Sequence, residues 1–280
     1  MTIVSVLKQG INFGLSIKQV EDVIQTLIGI SRERLFLYPD VELAKGGYDA
    51  CIRAFYRLLQ GEPLFYVLGM SPFCGREFLV DRRCLIPRPE TEFLVELCLD
   101  RLKHVASGVV FDVGTGSGVI GITLAVEKPE LQVVCSDNDQ GVLDLTRQNV
   151  FRFFCEKRVR VEYGDLLLPL INTTNLSSLQ AIVANLPYIG TEEFSYIEPS
   201  VEQFEPPGAL FGGRDGLDVY RAFFDQLYNF PIRPPFVFIE IGQGQYNRIR
   251  QYILDMFDTV AVCAYKDFAG IDRVVEIHFN

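Results

Sequence analysis

Val109-Val110-Phe111-Asp112-Val113 is an apolar run that breaks into Gly114-Thr115-Gly116-Ser117-Gly118 and resumes as the helix-like stretch Val119 to Val126. A short apolar run bounded by glycines reads as a strand buried on both faces, and a glycine-rich turn lets the backbone approach a ligand closely. From residue 109 onward the alternation continues through Leu131 to Ser136, Asp139 to Phe154, Arg158 to Tyr163, Leu179 to Ala184, Leu217 to Tyr228 and Pro235 to Ile241. Continuous runs such as Phe236-Val237-Phe238-Ile239 are what a sheet covered by helices on both sides requires. The pattern predicts an α/β fold with a doubly wound, mostly parallel sheet. Thr259 to Tyr265 and Arg273 to Phe279 flank a turn at Ala269-Gly270, so they are expected to pair antiparallel at one edge.

A strand, a glycine-rich turn and a helix N-terminus make a nucleotide-type pocket, and an acidic residue about 20 positions on binds ribose hydroxyls. Asp137 stands at that distance, after Leu131 to Ser136. Because Gly116-Ser117-Gly118-Val119-Ile120-Gly121 satisfies the dinucleotide spacing, a nicotinamide or flavin enzyme competes with an S-adenosylmethionine enzyme. Two features favour the latter. Asp112 precedes the first glycine, where a carboxylate suits the amino and sulfonium end of adenosylmethionine and repels a diphosphate. The second is Asn185-Leu186-Pro187-Tyr188, directly after the apolar Ala181-Ile182-Val183-Ala184. In open α/β sheets ligands gather at the carboxyl ends of strands, so both motifs face one crevice. The Asn185 carbonyl can accept a hydrogen bond from an NH2 group, the backbone carbonyl beside Pro187 can accept another, and the Tyr188 ring can cover a planar face. The plainer readings are a helix-capping carboxylate at Asp112, an N-cap at Asp137 and a strand-end turn at Asn185.

Asp112-Val113-Gly114-Thr115-Gly116-Ser117-Gly118, Asp137, Gly164-Asp165-Leu166 and Asn185-Leu186-Pro187-Tyr188-Ile189, preceded by Ile86-Pro87-Arg88-Pro89-Glu90-Thr91-Glu92, resemble the release factor glutamine methyltransferases over nearly the whole chain. The resemblance implies a seven-stranded class I methyltransferase sheet and transfer of a methyl group from S-adenosylmethionine to a glutamine side-chain amide. The implied acceptor lies in the Gly-Gly-Gln loop of class 1 peptide chain release factors. It further implies that Asp112, Gly114, Thr115, Gly116, Ser117, Gly118, Asp137, Asp165, Leu166 and Asn185 hold the cofactor, with Asp165 near the adenine amino group and Leu166 on the ring. Asn185, Leu186, Pro187 and Tyr188 would hold the substrate, with Asn185, Pro187 and Tyr188 at the chemistry, and Arg88 and Glu90 near the cofactor entrance. Leu186 stands where the family usually carries proline, which bears on turn rigidity. The same turn serves adenine-N6 DNA methyltransferases and several RNA methyltransferases, so a base-amine methyltransferase is the alternative; a non-catalytic binding module that has kept the fold is another.

A net charge of −10 and a pI near 4.8 argue against a partner held chiefly through phosphates, so no nucleic acid is expected. Seven scattered cysteines, no Cys-x-x-Cys pair and only His104 and His278 suit reduced core thiols in a cytoplasmic protein and give no support to a metal site. The sequence carries no signal-peptide pattern and no long apolar span, so neither export nor membrane insertion is expected, and a monomer is expected. Three regions follow: a helical substrate-recognition domain over 1–72, a β-hairpin linker over 73–86 and a methyltransferase domain over 87–280. Ser16-Ile17-Lys18-Gln19 has capping-box form ahead of Val20, Val23, Ile24, Leu27 and Ile28. Phe73 to Ile86 reads as a hairpin with Asp81-Arg82-Arg83 in its middle, and a helix starts near Thr91. Thr191 to Gly216, rich in proline and glycine, reads as a long loop able to fold over the substrate.

Overall fold

Apolar residues three and four apart make the N-terminal region helical: α1 Ile3–Asn12, α2 Ile17–Ile28, α3 Arg32–Leu37, α4 Lys45–Leu59 and α5 Leu64–Leu68. The computed structural model describes residues 1–171, 176–192, 197–231 and 233–279. It divides into two compact units, Met1–Ser71 with Glu198–Phe204, and Pro72–Ile197 with Glu205–Asn280.

In the first unit, α2 opens on the capping box: the Ser16 hydroxyl accepts from the Gln19 amide at 3.2 Å, and Gln19 Oε1 accepts from the Ser16 amide at 3.0 Å. Its apolar face, Val20, Val23 and Ile24, packs into a core with Val6 of α1 and Phe55 of α4. The helices cross closely because Gly10 has no side chain; a Cβ there would stand 2.6 Å from Val20 Cγ2. Arg57 ties α4 to α5 by a two-pronged pair with the nearly buried Glu62 at 2.7 and 2.8 Å, and by bonds to the carbonyls of Tyr66 and Val67.

The hairpin consists of β1 Met70–Phe73 and β2 Arg76–Leu79. Its turn lies at Cys74 and Gly75, both at positive φ (47° and 71°), rather than at Asp81-Arg82-Arg83. Two left-handed residues match the twist of paired strands, and Asp81 instead grips the Arg83 guanidinium at 2.5 Å. Pro89 fills the first turn of α6 Pro89–Leu102, where no amide partner is needed.

The rest of the second unit alternates as the sequence suggests: β3 Gly108–Val113, α7 Val119–Glu127, β4 Leu131–Asp137, α8 Gln140–Arg152, β5 Val159–Tyr163, α9 Leu168–Ile171 and, after a single 3-10 turn, β6 Leu179–Ala184. Thr191 to Gly216 differs from the expected loop. It carries two short helices, α10 Pro199–Phe204, which belongs to the first unit, and α11 Pro207–Leu210; residues 193–196 of this stretch lie outside the described residues. Then come α12 Asp218–Asn229, β7 Phe236–Glu240, α13 Tyr246–Met256, β8 Val260–Lys266 and β9 Asp272–Phe279. The seven strands are ordered β5-β4-β3-β6-β7-β9-β8, parallel except for β9, which runs antiparallel to both β7 and β8.

Alternate residues of each strand serve opposite cores. Phe111, Ile182 and Ile239 pack with Phe223 and Phe224 of α12 and Ile249 and Ile253 of α13. Val110, Val183 and Phe238 pack with Leu94 of α6, Ile122 of α7 and the hairpin's Phe73 and Phe78. The chain winds one way from β3 to β4 and the other way to β6, so a crevice opens at the carboxyl ends of β3 and β6. No described helix is long and apolar enough to cross a membrane.

Candidate active site

A cavity of about 590 Å3 opens at these strand ends, a volume suited to one small organic ligand. Gly114, Thr115, Gly116 and Ser117 line it from the turn after β3, Asp137 and Asp139 from the turn after β4, Asp165 and Leu166 after β5, and Asn185, Leu186 and Pro187 after β6. The two motifs singled out in the sequence therefore meet at one rim.

The glycine turn is built for close approach. Gly114, Gly116 and Gly118 have φ of 66°, 56° and 85°, which side chains resist, and a Cβ at Gly114 would lie 2.8 Å from Leu186 Cδ2. Asp137 joins this turn to the next: its Oδ2 accepts from the Gly116 amide at 3.2 Å and its Oδ1 from the Asp139 amide at 3.1 Å. Burial outweighs these bonds and raises the Asp137 carboxyl above its ordinary value. From α8, the Thr146 hydroxyl donates to the Gly116 carbonyl at 2.7 Å, and the Asn149 amide donates to the carbonyls of Ser117 and Leu79. Neither residue carries a motif, and buried polar positions on an otherwise apolar helix face were their one signal. Leu166 sits at φ 48°, uncommon for a residue with a side chain and a mark of a backbone held by its surroundings. Asp165 accepts from Gln226 Nε2 at 3.2 Å.

Four residues differ from expectation, Glu90 among them. Asp112 does not line the cavity. It shares the face of β3 occupied by Val110, so its side chain lies fully buried under α7, where Oδ2 accepts from the Thr115 hydroxyl at 2.5 Å and the Gly121 amide at 2.9 Å. Burial pushes its carboxyl up to about 6, and its Oδ1 has no partner among the described residues. Gly118 also stands back from the cavity, as the left-handed residue that starts α7. The Tyr188 ring is packed beside the α12 core instead of facing the cavity, because its hydroxyl satisfies the buried Glu240, donating to Oε1 at 3.2 Å.

Glycines behind the turn after β6 let a second segment press against it. A Cβ at Gly212 would stand 2.3 Å from the Pro187 carbonyl oxygen, and one at Gly216 2.2 Å from that of Tyr188. Gln245 accepts from the Gly242 amide and donates to the Tyr188 carbonyl, both at 2.8 Å. Asn185 Nδ2 donates to Thr91 Oγ1 at 3.0 Å. Among the described residues no group donates to Asn185 Oδ1 or to the Leu186 carbonyl, which leaves both able to accept.

The cavity's charges favour a cation. Asp137, Asp139 and Asp165 line it, as does Asp218, which is paired with Arg221 at 2.7 Å, while its guanidinium groups are committed: Arg83 to Asp81, and Arg88 to the buried Glu205 at 2.6 Å. Glu90, expected beside Arg88, is not among the lining residues; it occupies the first turn of α6, where a carboxylate suits the positive helix end.

The methyltransferase small domain family matches residues 90–197. A release factor glutamine methyltransferase of Bacillus cereus is 34% identical over 263 residues, covering 91% of this chain and 90% of that one. One from Geobacter sulfurreducens is 35% identical, covering 92% and 87%. The chain belongs to the release factor glutamine methyltransferase family. The matched length takes in the helical N-terminal region as well as the sheet, and Leu186 in the turn after β6 is buried. In fold alone the second unit's sheet has wider kin: the hMettl16 catalytic domain, solved in complex with a MAT2A 3′UTR hairpin, is 11% identical with a TM-score of 0.58, covering 87% of this chain and 85% of that one.

Proposed function

We propose that this chain transfers a methyl group from S-adenosylmethionine to the side-chain amide nitrogen of the glutamine in the Gly-Gly-Gln loop of class 1 peptide chain release factors, in the cytoplasm. The observation that carries this reading is Asn185: it lies in the same cavity as Gly114 to Ser117 and Asp137, with Nδ2 bonded to Thr91 and Oδ1 left to accept.

The cavity's residues fit the methyl donor. Asp137 would take the ribose hydroxyls, Asp165 the adenine amino group and Leu166 the ring face, while the open space over the backbone of Gly114 to Ser117 would admit the amino acid end. Bound there, the donor supplies an electrophilic methyl on a positively charged sulfur. The surrounding carboxylates suit that charge, and the paired state of Arg83 and Arg88 leaves a dinucleotide's diphosphate poorly served. Asp112, although off the cavity, would act through the turn by holding the Thr115 hydroxyl and the Gly121 amide.

A carboxamide nitrogen is a weak nucleophile because its lone pair is delocalised into the carbonyl. Asn185 Oδ1 and the Leu186 carbonyl would draw on its two N–H bonds, orient the lone pair and stabilise the positive charge that develops on nitrogen. Pro187 stiffens this turn, and Tyr188 holds it from behind through Glu240 rather than by covering the amide. The nitrogen's proton then passes readily to water, so positioning supplies most of the acceleration and no strong base is needed.

Base amines present the same NH2 chemistry, but the acidic chain and acidic cavity lining favour a protein acceptor. Labelled adenosylmethionine offered with a release factor, with its Gln→Ala variant and with duplex DNA tests the choice. Label is expected in the unaltered release factor alone; label in the DNA, or in the Gln→Ala variant, would contradict the proposal.

A further inference from the structure

Which end of a side-chain amide is oxygen and which is nitrogen follows from its hydrogen-bond partners, and at Asn185 those partners form a chain with a fixed direction. Glu240, at the end of β7, is buried; its Oε2 lies 2.7 Å from Thr91 Oγ1 and its Oε1 3.2 Å from the Tyr188 hydroxyl. An ionised carboxylate only accepts, so the single proton of the Thr91 hydroxyl is committed to Glu240. Thr91 Oγ1 then has only lone pairs to offer Asn185 at 3.0 Å, and the NH2 end of the amide must fill that place. The carbonyl end is thereby turned away from Thr91, free to accept.

We propose that Thr91 and Glu240 are positioning residues that lock the Asn185 amide with its oxygen presented to the acceptor amide. This rests on the methyl-transfer reading above. An amide rotated by half a turn would offer N–H groups to the N–H groups of the acceptor, and transfer would lose the carbonyl that orients the nitrogen. A proton on Glu240 allows that rotation. Glu240 then donates to Thr91, Thr91 donates to Asn185 Oδ1, and the NH2 end swings toward the acceptor.

The groups facing Glu240 are Thr91 and Glu90 from α6, the Tyr188 hydroxyl from the turn after β6, the Tyr220 hydroxyl of α12 on its backbone carbonyl, and Arg273 of β9. Burial raises the Glu240 carboxyl above its ordinary value, and Glu90 adds to this, against the bonds from Thr91 and Tyr188 and the charge of Arg273. The active orientation belongs to the ionised form, so turnover is lost as pH falls through that raised value.

Thr91→Val removes the hydroxyl at nearly constant volume, and Thr91→Ser restores it. With a release factor as acceptor, Thr91→Val is expected to lower kcat about tenfold or more, the scale of one ordered hydrogen bond. Cofactor Kd by calorimetry should stay within about twofold and Thr91→Ser within about threefold of the wild-type kcat, both below the tenfold step of one such bond. A Thr91→Val enzyme as fast as wild type, a serine variant as slow as the valine one, or cofactor affinity falling in step with kcat would overturn the lock. A wild-type chain that labels no release factor would overturn the transfer reading itself. Should Thr91→Val fail to fold, Glu240→Gln decides: the acid loss of turnover is expected to vanish or move by about one pH unit or more, the scale of a typical carboxyl shift, and an unchanged profile would overturn the lock.

Discussion

Asn185→Ala is expected to lower turnover by about 100-fold or more, the scale of losing one preorganised polar partner at a reacting centre. The reason is local. Asn185 Oδ1 accepts from no group among the described residues, and alanine removes it from the turn after β6, leaving only main-chain carbonyls to draw on the acceptor amide. The variant also strips Thr91 Oγ1 of its donor, but Thr91 borders the cavity, where water can replace it. Donor binding should therefore change much less than the rate. Single turnover at saturating adenosylmethionine separates the two effects, and wild-type turnover in the alanine variant would remove Asn185 from the chemistry.

Asp137→Ala is expected to have the opposite signature, weakening adenosylmethionine binding by about 1.5–3 kcal/mol, the worth of hydrogen bonds to a charged group. Asp137 would lose its bonds to the donor, and the turn would lose the carboxylate that joins the Gly116 and Asp139 amides. Both losses fall on the donor side. Raising the donor concentration should restore much of the rate, which it cannot do for Asn185→Ala. Calorimetry that finds unchanged affinity would exclude Asp137 as a donor ligand.

The parts of this site legible in the sequence are those where local chemistry leaves few options. An apolar run ending in glycines reads as a buried strand and an open turn, and Asn185 to Tyr188 follows a short apolar run that reads the same way. Asp112 was misplaced because adjacency to the glycines says nothing about which face of the strand it takes; that depends on α7 closing over the Val110 side. Tyr188 looked like a platform for a flat ligand because Glu240, 52 residues on, was not yet its partner. Thr91 and Glu240 lie 149 residues apart and meet only through the sheet's winding, so no spacing rule could pair them.

The hairpin turn and the long loop were misread for a different reason. Cys74-Gly75 is a weak turn signal beside the polar Asp81-Arg82-Arg83, and the positive φ that decides the matter belongs to the backbone. The stretch from Thr191 to Gly216 looked structureless because proline and glycine dominate it. In fact those residues serve short helices and close backbone packing against Pro187 and Tyr188. Helix α13 escaped notice because Ile249 and Ile253 are its only fully buried residues, and the other apolar side chains on it are partly exposed.

The most direct measurement is the crystal structure of this chain with S-adenosylhomocysteine, the donor stripped of its methyl. The adenine should lie by Asp165 and Leu166, the ribose on Asp137, and the sulfur should face Asn185 across a gap that fits a methyl group and an acceptor nitrogen at about 3–3.5 Å. Adenosine bound outside this cavity, or a sulfur facing away from Asn185, would contradict a single crevice in which donor and amide meet.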